Sequence, residues 1–258
     1  MKTNKFVKPP LILSTLILCT TVLTSCQNTT VFGEGALQLS YIAGYSVENR
    51  PVECRVLGRG DNVVFILAAI HGNEVAGTAL CRRLADYLLE NPQALQGRKV
   101  VLMPETNPDG VALNQRYNTR GVDLNRNFAA SNRENTQRYG MEGASEPETR
   151  VIAQVIEQYK PDRIITLHEP LNCVDYDGPY LELAEYLAQY CELPIKKLGT
   201  SPGSLGGYAG LDLEIPLITV EFPKDSGALD EDTLWQKYGR LMRAAVAYPE
   251  KIDTVQEL

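Results

Sequence analysis

Apolar runs alternate along the chain with segments of helical period. "VECRV" (52–56) and "NVVFILAAI" (62–70) read as strands. "EVAGTALCRRLADYLLEN" (74–91) reads as a helix, with Ala76, Leu80, Leu84, Tyr87 and Leu88 on one face. "RKVVLMPE" (98–105) is the next strand, followed by a long polar region over 106–144. Ser145 is expected to open a helix, because Glu148 stands in the capping-box position. "RIITLHEP" (163–170) and "PLITVEFP" (216–223) read as strands; "YLELAEYLAQYCEL" (180–193) and "DEDTLWQKYGRLMRAAVAY" (230–248) read as helices. This order predicts an α/β fold with a mixed, largely parallel sheet. No internal linker interrupts it, so residues 39–258 read as one domain.

The first 26 residues break that pattern. Lys2, Lys5 and Lys8 precede an apolar stretch from Leu11 to Leu23, which is short for a membrane span. The stretch ends in "LTSC", the form of a bacterial lipoprotein signal. Residues 1–26 are therefore expected to be a leader ending at a lipidated Cys26. A plain secretory signal or an uncleaved anchor is the alternative. Gln27, rather than Asp, follows the cysteine, which by resemblance to Gram-negative lipoproteins favours the periplasmic face of the outer membrane. Polar and small residues over 27–38 read as a tether.

The leader holds three of the 25 Lys and Arg and none of the 32 acids, so the mature chain carries a net charge of −10. That surface disfavours nucleic acid and anionic lipid, leaving the lipid anchor as the membrane contact. Beyond Cys26 stand Cys54, Cys81, Cys173 and Cys191. An exported compartment permits disulfides, and Cys173 with Cys191 is the favoured pair because they flank one helical segment. Buried free thiols are the alternative.

The chain has two histidines. His71 ends one expected strand and His168 another, and open α/β sheets build sites beyond the carboxyl ends of strands. Glu74 lies three residues after His71, and Glu221 ends a third strand. Two imidazoles and one carboxylate with an open fourth position form a catalytic zinc pattern. The short His-x-x-Glu spacing is common by chance; its weight comes from the second histidine and from what lies between them. Glu221 within an apolar strand is costly unless it has a task.

What lies between is "NQRYNTRGVDLNRNF". With "HGNE", "NPDG" and "VEFP", it resembles the zinc metallocarboxypeptidases of the carboxypeptidase A type, over roughly Val63 to Asp225. The resemblance implies a mixed sheet of about eight strands with helices on both faces, and one zinc ion held by His71, Glu74 and His168. It implies that Asp123 orients a ligand histidine and that Asn125 and Arg126 hold a free substrate carboxylate. Arg116, preferred to Arg120, would polarise the scissile carbonyl, and Glu221 would be the general base. It also implies a cis bond at Glu169–Pro170.

The family's mobile tyrosine has no clear counterpart; Tyr208 is expected in the pocket wall. With "HEPLNCVDYDGP" and "PGSLGGYAG", the chain looks most like the murein peptide amidase branch, which cleaves the γ-D-glutamyl–diaminopimelate bond of cell-wall peptides. The alternatives are a general envelope carboxypeptidase, favoured by apolar Leu205 near the specificity region, and a non-catalytic zinc-dependent peptide-binding lipoprotein.

Overall fold

Nine strands form one sheet in the computed structural model, which describes residues 28–32 and 36–252. The elements in chain order are β1 (Asn28–Phe32), β2 (Ala36–Tyr45), β3 (Pro51–Gly58), β4 (Asn62–Ala68), α1 (Ala76–Glu90), β5 (Arg98–Met103), α2 (Pro108–Ala112), α3 (Pro147–Tyr159), β6 (Arg163–His168), β7 (Leu171–Tyr176), α4 (Leu181–Ala188), β8 (Ile195–Lys196), β9 (Leu217–Pro223) and α5 (Glu231–Ala247). Across the sheet the order is β1-β2-β3-β5-β4-β6-β9-β7-β8. The centre, β5-β4-β6-β9, is parallel. On its flanks β3 runs antiparallel to β5, and β7 antiparallel to β9. The expected mixed sheet is present, with its parallel block confined to the centre.

Helices cover both faces. On one, Leu80, Leu84 and Leu88 of α1 and Leu241 of α5 pack with Ile66, Leu102, Leu167 and Val220 of the sheet. On the other, Val151, Ile152, Val155 and Ile156 of α3 meet Phe65, Val101, Ile164 and Leu217. Each such side chain contributes about 1.5–3 kcal/mol when fully buried.

Three expectations are corrected. The tether read over 27–38 is in part strand: β1 pairs antiparallel with the start of β2. Its Thr29, Thr30, Val31 and Phe32 are β-branched or aromatic types that favour strands. The helix expected from Ser145 begins instead at Pro147, with Glu146 as its cap residue. Proline suits the first helical position because the N–H it lacks has no partner there. Glu148 does not cap; it is fully buried and accepts from the Val47 N–H at 3.2 Å. The four cysteines from Cys54 onward are free thiols. Cys173 pairs across the sheet with Glu221 on one face, whereas Cys191 packs against the core on the other. The sheet itself separates the pair expected to bond. The leader and Cys26 lie outside the described residues.

One buried carboxylate knits the β2–β3 hairpin to α2. Asp109 accepts from the Ser46 hydroxyl at 2.7 Å, the Glu48 N–H at 2.9 Å and the Arg50 guanidinium at 2.6 Å. Burial opposes its ionisation, but these donors outweigh it and hold the carboxyl below the usual range.

Candidate active site

The carboxyl ends of β4, β6 and β9 meet at one cleft. Leu167 of β6 lies beside Ala68 of β4, and His168 lies beside Glu221 of β9. After β4 the chain turns sharply into α1. Ala69 adopts a left-handed φ of 51°, and a Cβ on Gly72 would meet the Gly110 backbone at 1.9 Å. Only glycine fits so close an approach. This turn carries His71 and Glu74 to the end of β6.

Glu74 stands between the two imidazoles. His168 Nδ1 lies 2.8 Å from Glu74 Oε2, and His71 Nδ1 lies 2.8 Å from Oε1. His71 Nδ1 is buried and makes no hydrogen bond, so it points at the carboxylate without bonding to it. Ligand atoms of all three residues fall within 4.8 Å of one another. An orphaned imidazole nitrogen, a second imidazole and a carboxylate converging on one point fit a zinc ion. His71 Nε2 contacts Asp123 Oδ1 at 3.1 Å, the arrangement that fixes a ligand histidine's tautomer. Burial works against ionisation of Glu74 and Asp123. For Glu74 the hydrogen bond of His168 and the charges of both imidazoles prevail, and for Asp123 the hydrogen bond and charge of His71 with the Arg116 and Arg126 charges. Both carboxyls sit well below their usual range.

Glu169 braces this centre. One of its oxygens accepts from the Ala76 N–H at the start of α1, the other from the Gly227 N–H, both at 3.1 Å. Helix α1 has no side-chain cap of its own at Val75, so Glu169 supplies an acceptor at that helix end. The Glu169–Pro170 bond is cis, as expected.

The cleft has a volume of about 290 Å³ and brings together His71, Glu74, Arg116, Asn125, Arg126, His168, Leu205 and Glu221. Arg116 donates to Glu74 Oε1 at 3.0 Å and to Asp123 Oδ2 at 3.1 Å. Arg120 turns away to Glu146, which separates the two candidates. Asn125 Oδ1 accepts from the Leu205 N–H at 2.9 Å, tying the Asn125–Arg126 turn to the opposite wall. Glu221 is 8% exposed and accepts from the Leu171 N–H at 3.3 Å. Tyr208 is not in the cleft wall; it stacks on Phe128 at 5.7 Å, half-buried against the α3 side of the core. No tyrosine lines the cleft among the described residues.

Among the cleft residues that were not foreseen are Thr166, Thr219, Asp175 and Asp177. In register, Thr166 of β6 lies beside Thr219 of β9, which lies beside Asp175 of β7. This polar row sits two residues before the row of His168, Glu221 and Cys173, on the same sheet face. The signal was present in "RIITLH" and "LITVEF", where each apolar strand carries a threonine two residues before its site residue. Burial, aggravated by Asp177, pushes the Asp175 carboxyl up to about 6 despite a hydrogen bond from the Leu198 N–H.

The zinc carboxypeptidase family matches this chain over residues 37–180. Murein peptide amidase A of Escherichia coli K12 is 36% identical over 191 residues, covering 67% of this chain and 74% of the relative. The protein of the same name from Vibrio campbellii is 32% identical over 182 residues, covering 64% and 71%. The crystal structure of murein-tripeptide amidase MpaA from E. coli O157 superposes with a TM-score of 0.67 at 28% identity, covering 86% of this chain and 95% of that one. Bovine thrombin-activatable fibrinolysis inhibitor, 18% identical with a TM-score of 0.70, covers 83% and 88% and shares the fold. With the His71, Glu74 and His168 set inside the matched region, this chain belongs to the zinc carboxypeptidase family of hydrolases.

Proposed function

We propose that the protein hydrolyses the γ-D-glutamyl–diaminopimelate bond of murein peptides. The observation that carries the reading is one cleft holding a His₂Glu donor set, a second carboxylate and the Asn125–Arg126 turn. The named activity of the E. coli and Vibrio relatives supports the substrate class.

Each residue has a part. His71, Glu74 and His168 hold zinc, with Asp123 fixing the His71 ring. Zinc in such a site polarises a carbonyl oxygen and makes water acidic enough to lose a proton near neutral pH. Glu221 takes the proton from the attacking water and delivers it to the departing amine. Arg116 leaves its contacts with Glu74 and Asp123 to donate to the developing oxyanion. Asn125 and Arg126 hold the carboxylate beside the scissile amide, where a guanidinium supplies two parallel donors. Diaminopimelate at the end of a murein tripeptide presents that carboxylate.

A general carboxypeptidase is the second reading, favoured by Leu205, an apolar residue in the cleft wall. Digesting murein tripeptide beside the same peptide ending in alanine decides between them. Equal rates would remove the murein assignment and leave a carboxypeptidase.

The enzyme works in the cell envelope, anchored through a lipidated Cys26. The support is the sequence alone: three lysines, an apolar stretch and "LTSC". Cys26→Ala should move the protein from the membrane fraction to the soluble one without harming turnover. Unchanged membrane association would assign the anchor to the apolar segment.

A further inference from the structure

The two faces of the antiparallel flank differ. On the α3 face, Leu39, Tyr41 and Ala43 of β2 pack against the core. On the α1 face the core takes Leu57 of β3 and no residue of β2 among those described. A β-bulge between Ile42 and Gly44 sets Ile42 beside Glu53 and Tyr45 beside Pro51, so both side chains fall on that bare face. They are 50% and 49% exposed. Ser40 and Arg55 form the next pair on the same face. Arg55 lines a cavity of about 340 Å³ with Arg50 and Arg82, opposite two acids, Glu53 and Glu105. Arg50 is held by Asp109 and Arg82 by Glu105. Arg55 makes no hydrogen bond or ion pair among the described residues. The patch is thus apolar with a local excess of positive charge, on a chain that is acidic as a whole.

Its place in the sheet points to what covers it. β1 begins at Asn28, which lies beside Ser40, which lies beside Arg55. Two residues of chain lead from Asn28 back to Cys26, a reach of at most about 7 Å. A lipid on Cys26 therefore enters its membrane beside this flank. We infer that the α1 face of the β2–β3 hairpin rests on the phospholipid bilayer that holds the anchor. Ile42 and Tyr45 enter the interfacial layer, where an apolar body leaves water and a tyrosine hydroxyl stays wet. Arg55 takes a headgroup phosphate, to which a guanidinium offers two parallel donors. The net negative charge of the chain opposes any general attraction to anionic lipid, so the contact works only because the anchor has already brought it within reach. The inference rests on the lipid-anchored reading above and gives it an orientation. β2 runs in the same direction as β5 and β4, so its Tyr45 end lies on the cleft edge of the sheet. The end of β4 stands four strand spacings, about 19 Å, from β1. Docked in this way, the cleft draws peptides from the layer next to the membrane.

The test uses the lipidated full chain in vesicles of phosphatidylethanolamine and phosphatidylglycerol whose acyl chains carry bromine, a quencher of nearby tryptophan. The variants are Ile42→Trp, Tyr45→Trp and Leu211→Trp, each keeping the single native Trp235 as a common background. Leu211 is exposed in the 206–212 segment, whose Ala209 packs on the α3 face. Ile42→Trp and Tyr45→Trp should lose most of their added fluorescence in brominated vesicles, and Leu211→Trp almost none. Adding Arg55→Gln to Tyr45→Trp should lower the ratio of quenched to unquenched protein about fivefold, the effect of one cation at a membrane surface. Because Arg55 bonds nothing in the fold, the melting temperature should hold.

Equal quenching at all three positions, or none at 42 and 45 in membrane-bound protein, would overturn the docked face and leave the anchor standing. A dimer in detergent that Ile42→Glu breaks would give the face to a second copy of the chain instead. Cys26→Ala protein that loses membrane binding and quenching together supports both readings. If it stays bound with quenching intact, the face stands and the anchor moves to the apolar segment. Wild type that never enters the membrane fraction would overturn both.

Discussion

Asp109 and Asp175 are both buried aspartates, and they belong to opposite designs. Asp109 is surrounded by donors: a hydroxyl, a backbone N–H and a guanidinium. Asp175 has only backbone donors, the N–H groups of Leu198 and Tyr176, and a second acid for a neighbour. Folding pulls the first carboxyl toward ionisation and pushes the second away from it. The Asp109 cluster is closed, with its charge used inside the chain. The cleft is open, with an imidazole nitrogen, a threonine hydroxyl and two acids left for something that arrives from outside. Unspent hydrogen-bonding capacity, rather than buried charge as such, separates a site from a structural knot.

The contrast can be broken at several points. Replacing His168 or His71 by alanine should abolish both zinc binding and turnover, read by metal analysis and peptide hydrolysis. Glu221→Gln should keep the metal and lose ~10²–10⁴-fold in kcat, the range of a positioned general base. Near-normal turnover would transfer that role to another group. Arg126→Ala should cost ~30- to several thousand-fold on peptides with a free terminal carboxylate. Amidating that carboxylate should impose a similar loss on wild type and little more on the variant. Equal amidation losses in both would release Arg126 from the role.

Two stability measurements sharpen it further. Asp109→Asn should cost about 2–4 kcal/mol at pH 7, since hydrogen bonds to a charged group are lost. Because the folded carboxyl titrates below its unfolded value, its contribution is present above about pH 4 and disappears as pH falls through the folded value. The gap between wild type and variant should therefore close in acid. Asp175 has the opposite sign. Its folded carboxyl titrates at about 6, so it binds its proton more tightly when folded, and stability is lost as pH rises through that value. Asp175→Asn should stabilise the metal-free protein at pH 7 by about 1–2 kcal/mol, a figure discounted for solvent screening. Melting curves that move the same way for both variants would erase the distinction.

Much of the site was legible because its residues violate local patterns. Histidines and a glutamate at the ends of apolar strands have few structural excuses, and the His71, Glu74, His168 and Glu221 positions all fall in the cleft. Less legible was β7, where "LNCVDY" is exposed at its first two residues and carries Asp175 on its site face. A strand that gives one face to a polar cleft shows little apolar alternation. Strands β1 and β2 were hidden for a related reason. They lie on the antiparallel flank, where sequence lacks the continuous apolar runs of the buried centre. Ser145 failed as a cap because Pro147 sets the helix start. The cysteine pairing failed because proximity in sequence says nothing of which sheet face a residue occupies.

The parallel pairing of β4 with β6 sets Ala68 beside Leu167, so the segments bearing His71 and His168 are neighbours through backbone bonds alone. The socket is thus assembled by the scaffold before any ion enters. In small zinc domains the ion and the fold stand or fall together. Here a chelator should empty the centre and leave the protein standing. Cobalt or manganese could then be loaded into the same vessel without refolding, turning a spectroscopically silent protein into one that reports on its own ligands.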